Sequence, residues 1–312
     1  MSVQISLPTS VRARAGLIFV STGALLWGTT GVAVRIVADR SGLSAVAIGW
    51  YRVAIAAAVI AVAFRRPGLR RAAAAFGRYP WRLALCGAGF GAYQALYFVG
   101  VQFVGVSVST LVSLAVAPVV LTGGAALARR RWPAPFQLAV LAFALAGLAL
   151  VSLRPGSGTS APHPVWGVLA SVASGLGYAG ITALSSRMAG EDPLVLTGVT
   201  SAVGALVLLP FGLVAGVDVP QDAIAGGWLV YIGVVPTVLA YWLFYAGLRS
   251  THSEVAGVLT LLEPLTAAVV AALVLHEQLS SAALVGGGLL LVAVAGLYVR
   301  APAPEITEVP PP

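Results

Sequence analysis

Late in the 312-residue chain, the run EVAGVLTLLEPLTAAVVAALVLHE (residues 254–277) sets Glu263 and Pro264 in the middle of a stretch otherwise fit only for hydrocarbon. An ionisable group in such a place is costly, so it faces a polar interior and marks a functional site by default. A lone carboxyl group offers proton carriage or ion pairing. Pro264 adds a second feature: it has no amide hydrogen, so the carbonyl of Thr260 loses its helical donor. Carboxylate, carbonyl and the Thr260 hydroxyl then lie within one turn. Ala256, Thr260, Glu263 and Ala267 share one helical face of small or polar character, which suits a cavity or a close-packed seam and not a lipid face. The alternative is a structural glutamate paired with a neighbour beside a tolerated kink, because transmembrane helices accept proline.

Other chemistries find little support. There is no nucleophile elbow, no pair of intramembrane carboxylates and no phosphate-cradling glycine loop, so the chain is not expected to be an enzyme. GAGFG at 87–91 lies inside an apolar run without the strand and helix that a dinucleotide motif needs, and close helix packing explains it better. Three histidines and one cysteine, Cys86, leave no basis for a metal site or a disulfide. No cofactor is expected.

The elements that must position Glu263 are membrane helices. The chain is 59% hydrophobic and 9% charged, with mean hydropathy +0.96, far from soluble composition. Apolar runs recur at 15–36, 44–64, 81–104, 107–128, 136–153, 164–187, 194–215, 227–247, 254–276 and 281–299. Each is near the ~20 residues that a bilayer-spanning helix needs, and none alternates as a barrel strand would. The expected fold is therefore an all-α integral membrane protein with ten transmembrane helices. The first run, behind Arg12 and Arg14, is too long for a signal-peptide core and reads as a retained span.

All 18 basic residues are arginine. With the N-terminus inside, fourteen of them fall on the inner side: Arg12, Arg14, the six from Arg65 to Arg82, Arg129 to Arg131, Arg187, Arg249 and Arg300. Both termini are therefore expected in the cytoplasm. The same bias explains the basic connecting loop RRPGLRRAAAAFGRYPWR and the high isoelectric point without invoking nucleic acid. The polar stretch RPGSGTSAPHP divides the spans five and five, and residues 301–312, proline-rich and acidic, read as a disordered tail.

The halves resemble each other. Residues 81–118 align without a gap on 227–264, which sets Phe98 on Phe244 and Pro118 on Pro264; in the opening spans Trp27 lies on Tyr178. An odd number of spans per half inverts the second copy, so residues 15–153 and 164–300 are read as two inverted five-helix repeats. Inverted repeats with matching proline-interrupted helices are an architecture of secondary transporters, with a site near the midplane. The prolines could instead record duplication and serve packing. Glu263 stands where the first half has Ala117, and that asymmetry favours chemistry.

The chain resembles the drug/metabolite transporter superfamily, in the branch with paired EamA domains. The resemblance rests on ALLWGTTGVAVRI in the first span, on Trp50, Tyr51 and Arg52 in the second, and on LTLLEPLTAAVVAALVLHEQLSSAALVGGGLLLVAVAGLYV at the end. It covers about residues 15–300. It implies ten helices with cytoplasmic termini, a central cavity lined chiefly by the third, fourth, eighth and ninth spans, and export of amino acids or other small metabolites. One departure is ARRRWPAP after the fourth span, where the family often repeats an acidic turn; Glu277 is thus without a counterpart and reads as a helix-end residue.

On that lining, the candidate residues for substrate and proton are Glu263, Thr260, Tyr97, Gln94, Tyr93, Tyr241, Trp242, Tyr245 and Ser113, with Pro118 and Pro264 as helix breaks. Aromatic rings with a few hydroxyls and amides suit a small, partly apolar organic solute, although each aromatic equally suits packing or interfacial anchoring. Arg52, always charged, is a candidate partner of Glu263, a binder of a substrate carboxylate, or a structural group near the outer interface. The function expected is secondary active export of small organic metabolites by alternating access, with proton coupling at Glu263. The alternative is a pore or lipid-translocating protein without alternating access. The partners expected are a small-molecule substrate and the bilayer of a bacterial inner membrane, with no nucleic acid; a monomer suffices.

Overall fold

The computed structural model describes residues 9–152, 164–276 and 278–300; the expected tail at 301–312, the connection at 153–163 and Glu277 lie outside them. Among the described residues all regular structure is helical, and nine helical segments are long and apolar enough to cross a membrane. The chain is a multi-pass membrane protein.

One of the nine segments is two spans. Helix α4 (Pro80–Arg129) has 50 residues, about 75 Å if straight, against a hydrocarbon core of about 30 Å. It is broken at Gly105, whose φ of 78° and ψ of 166° belong to a region that only glycine adopts readily. The Tyr97 hydroxyl lies 2.8 Å from that of Thr110, and the Ser109 hydroxyl donates to the Tyr97 carbonyl at 3.3 Å. In a straight helix those residues would stand roughly 20 Å apart. The chain therefore reverses at Gly105, and the expected third and fourth spans are the two limbs of one hairpin. This brings the crossings to ten.

The remaining helices depart from the expected spans in instructive ways. The first crossing is α1 (Thr9–Gly28) followed by α2 (Thr30–Ser41), broken at Thr29, whose hydroxyl donates to the Leu26 carbonyl at 2.7 Å. Helix α3 (Ala45–Arg78) does not stop at residue 64. The basic stretch expected to be a loop is helical, because its alanine run favours helix and its side chains find partners. Ala75 is buried, and Arg71 and Arg78 pair with Asp192 and Glu191 at 2.7 and 2.6 Å.

Helices α5 (Pro135–Ser152), α6 (Pro164–Ser186) and α7 (Pro193–Ala215) follow. The eighth crossing is α8 (Ala223–Gly233), a π-helical turn (Val234–Leu239) and α9 (Ala240–Gly247). Pro236, which has no amide to donate, sits in the widened turn, where the Thr237 hydroxyl donates to the Ile232 carbonyl at 2.8 Å. The ninth is α10 (Ser253–Leu259) and α11 (Leu262–Val274), and α12 (Ser281–Arg300) closes the chain.

Helices of the two halves interleave. The first-half helix α1 packs on α9, α3 on α7, α5 on α12, and the two limbs of α4 pack on α6 and α10. Small residues let the backbones approach, as membrane interfaces require. A Cβ on Gly147 would meet the Gly286 carbonyl at 2.6 Å, and one on Gly286 would meet the Gly147 carbonyl at 2.7 Å.

Candidate functional site

The break between α10 and α11 puts Glu263 in the first turn of a new helix. The carbonyl that Pro264 strands is not left open: Thr260 accepts there from the Glu263 amide at 3.0 Å, a three-residue bond in place of the missing four-residue one. The Thr260 hydroxyl is also engaged, donating to the Gly257 carbonyl at 2.9 Å. Of the three polar groups expected in that turn, the carboxylate is the one that makes no hydrogen bond or ion pair among the described residues. It is half-buried, and the charge acting on it is Arg52.

Arg52, on α3, is held from the other side. Its Nη2 donates to Oε1 of Gln94 at 2.9 Å, and Gln94 is 6% exposed. Two donors here are buried without a partner, the Arg52 Nε and the Gln94 Nε2. Buried donors of this kind are rare and call for a ligand, an ion or water.

A cluster of aromatic rings adjoins these groups. Tyr93 and Tyr241 join hydroxyls at 2.9 Å. Trp27 lies 4.7 Å from Tyr241 and 5.3 Å from Phe244, Phe90 lies 5.0 Å from Tyr241, and Tyr178 lies 5.7 Å from Tyr93, ring centre to ring centre. These spacings are those of favourable edge-on and tilted ring pairs. The Trp27 Nε1, the Tyr178 hydroxyl and the Thr182 hydroxyl are buried and unpartnered too. The arrangement gathers donors, acceptors and ring faces beside a carboxylate and a guanidinium of opposite charge.

The structure brings together Glu263, Arg52, Gln94, Tyr93 and Tyr241, with Tyr245 against Tyr241 at 6.1 Å. Tyr245 reaches away, its hydroxyl donating to Thr200 at 3.4 Å. Tyr97 and Ser113 are engaged in packing contacts, Tyr97 with Thr110 across the α4 hairpin and Ser113 donating to the Ser171 carbonyl at 3.0 Å. Trp242 does not join the cluster: it is 36% exposed and packs on Phe19 at 6.4 Å. Pro118 is buried inside the second limb of α4, against Gly257. Trp27, Tyr178 and Thr182 were absent from the expected lining because α1 and α6 were; the pairing of Trp27 with Tyr178 in the repeat was their signal.

Two cavities of about 310 and 190 Å³ lie at the arginine-rich end, on either side of Arg129 and Glu254. Neither reaches Glu263.

The model of the EamA-like transporter family matches residues 14–153 and again 165–299, nearly the whole chain. The chain belongs to the EamA-like transporter family. This EamA-like protein is 29% identical over 293 residues to "Uncharacterized transporter YwfM" of Bacillus subtilis, covering 92% of this chain and 94% of that one. It is 31% identical over 272 residues to "Probable terminal-alkyne amino-acid exporter" of Streptantibioticus cattleyicolor, covering 84% and 86%. A solved crystal structure, 21% identical, superposes with a TM-score of 0.78 over 92% of this chain and 97% of its own, and so shares the fold. The EamA-like chain is accordingly a membrane transporter that acts on a small molecule.

Proposed function

We propose that this transporter is a secondary active carrier that exports small organic metabolites, such as amino acids, across a bacterial inner membrane by alternating access, with Glu263 carrying the coupled proton. The observation that carries this reading is the site itself: an unpaired carboxylate and a guanidinium with a spare donor, beside interlocked rings. An ionised carboxylate cannot be closed into such a place without compensation. A proton, Arg52 or a positive group on the solute can supply it, and competition among the three is what couples one movement to another.

The helix pairing supports two inverted repeats, residues 15–153 and 164–300. If the first span corresponds to the sixth and the third to the eighth, then first-on-eighth and third-on-sixth contacts exchange under one two-fold axis. Second-on-seventh, fourth-on-ninth and fifth-on-tenth contacts map onto themselves, and all five kinds are present. An axis of this kind lets two bundles rock about a central site. Ring contacts as close as 4.7 Å across the centre suit an occluding carrier better than an open pore. Arginine bias favours termini in the cytoplasm.

The test is counterflow in proteoliposomes preloaded with amino acids, following uptake of labelled solute. Saturable exchange in the wild type, with proton movement lost in Glu263→Gln, is expected. Unsaturable leakage, or full proton-coupled exchange in Glu263→Gln, overturns the reading.

A further inference from the structure

At the arginine-rich end, Nη2 of Arg129, at the end of α4, lies 2.7 Å from Oε1 of Glu254, at the start of α10. The two side chains differ in exposure, 51% for Arg129 and 8% for Glu254. The pair stands between the two cavities, and both of its members line each of them. The larger cavity is also walled by Leu248, Ser186, His252 and Thr251. The Thr251 hydroxyl is buried without a hydrogen-bond partner, in a residue 8% exposed. One turn deeper, Gly257 presses on the second limb of α4 so closely that a Cβ there would come 2.8 Å from Leu121 Cδ1. Glu263 does not line the cavity.

We propose that the larger cavity is a second binding site, one that loads a small zwitterion, with Arg129 taking its anionic end and Glu254 its cationic end. The ion pair is then both the recognition element and the gate. Separating the pair leaves a nearly buried carboxylate uncompensated, which is strongly unfavourable. A solute with one charge satisfies one partner and strands the other, whereas a zwitterion replaces both at once. Leu248 with the alanines of α4 supplies an apolar wall. A volume of about 310 Å³ suits a molecule of amino-acid size. The other titratable or charged groups at the cavities are His252 on the larger and Arg131 on the smaller. The proposal rests on the carrier reading for the purpose of the site and not for its existence.

The test uses the full chain in nanodiscs. Cys86, which is buried, is replaced by alanine and Ser253→Cys serves as reporter at the cavity wall, alkylated by N-ethylmaleimide. The probes are L-leucine, 4-methylpentanoate and 3-methylbutylamine, which share a side chain and differ in their charged ends. L-Leucine is expected to slow alkylation about tenfold at ten times its dissociation constant, and the two single-charge analogues to leave the rate unchanged. Protection should vanish in Arg129→Gln and Glu254→Gln, persist in Glu263→Gln, and persist in the exchanged pair Arg129→Glu with Glu254→Arg, which keeps both charges and guards against misfolding. Equal protection by either analogue, protection that survives loss of one partner, protection lost in Glu263→Gln, or no protection by L-leucine overturns the proposal. Protection without counterflow would keep this site and sink the carrier reading instead.

Discussion

The bond between Arg52 and Gln94 decides what Arg52 is available for, and its strength can be measured. Hydrogen bonds between membrane helices average roughly 0.6 kcal/mol in double-mutant cycles, and a charged partner about doubles a hydrogen bond. At 2.9 Å, between a guanidinium and an amide 6% exposed, the coupling in a cycle of Arg52→Met and Gln94→Leu should be about 1–2 kcal/mol. Gln94→Leu alone should cost more than the coupling, because it also leaves a half-buried guanidinium poorly paired. The assay is reversible unfolding in mixed micelles followed by circular dichroism, with counterflow on the same variants. Gln94→Glu is the diagnostic change: it keeps the geometry, supplies a fixed negative charge to Arg52, and should preserve stability while abolishing exchange of carboxylate-bearing solutes. A coupling within about 0.3 kcal/mol of zero, inside the usual additivity error, together with a larger coupling of Arg52 to Glu263, would refute the assignment and place the guanidinium on the glutamate.

Three further outcomes are expected. Gly105→Ala should lower stability by about 1–3 kcal/mol in the same unfolding assay, since it forces a side chain into a glycine-only conformation at the turn of the α4 hairpin. Gly286→Leu should cost about 1–3 kcal/mol by overpacking against Gly147, visible as a lower melting temperature with unchanged solute selectivity. Asp222 caps α8, accepting from the amides of Ile224 at 2.6 Å and Ala225 at 3.2 Å, and these bonds, the Ile224 amide foremost, hold its carboxyl below the usual value of 3.8. A carboxyl with a depressed folded value adds stability above the unfolded value and loses it as pH falls through the folded one. Asp222→Ala should therefore melt earlier at neutral pH, and the gap from wild type should close below about pH 4; a gap independent of pH would show that the cap does not act through its charge.

Much of the fold was legible because hydropathy reports directly on the need to satisfy a span in lipid. The gap expected between residues 104 and 107 contains Gly105, where the chain turns. The stretch after Phe64 was misread as a loop because charge density signals exit from the membrane and not the end of a helix; the same arginines that leave the bilayer remain on α3 and find Glu191 and Asp192. The candidate site was legible where a residue contradicts its surroundings, as Glu263 does. It was not legible where the deciding quantity is rotation about a helix axis: Tyr241 and Trp242 are neighbours in sequence, yet one is 6% and the other 36% exposed. Nor could sequence join Arg129 to Glu254, which lie 125 residues apart and look like ordinary helix-end charges.

The departures from regular helix are not spread evenly, and their placement bears on the proposed alternating access. The first crossing breaks at Thr29, the eighth widens into a π turn at Val234–Leu239, and the ninth breaks at Thr260 and Leu261. The crossings that the proposed repeat sets against them, the sixth, third and fourth, run unbroken through α6 and through each limb of α4. The broken helices pack on one another: α1 lies on α9 and α11, and a Cβ on Gly28, beside the first break, would meet the Glu263 carbonyl at 2.6 Å. The unbroken ones also pack on one another, α4 on α6. Identical prolines at 118 and 264 thus have opposite outcomes, because Pro118 is buried within a continuous limb while Pro264 begins a new helix with a carboxylate before it. Glu263 thus lies among the interrupted helices and Gln94 on the uninterrupted first limb of α4. In the proposed carrier, movement of one group of helices against the other would change the distance between Glu263 and the Arg52–Gln94 pair, and with it the charge balance that a proton or a solute must satisfy.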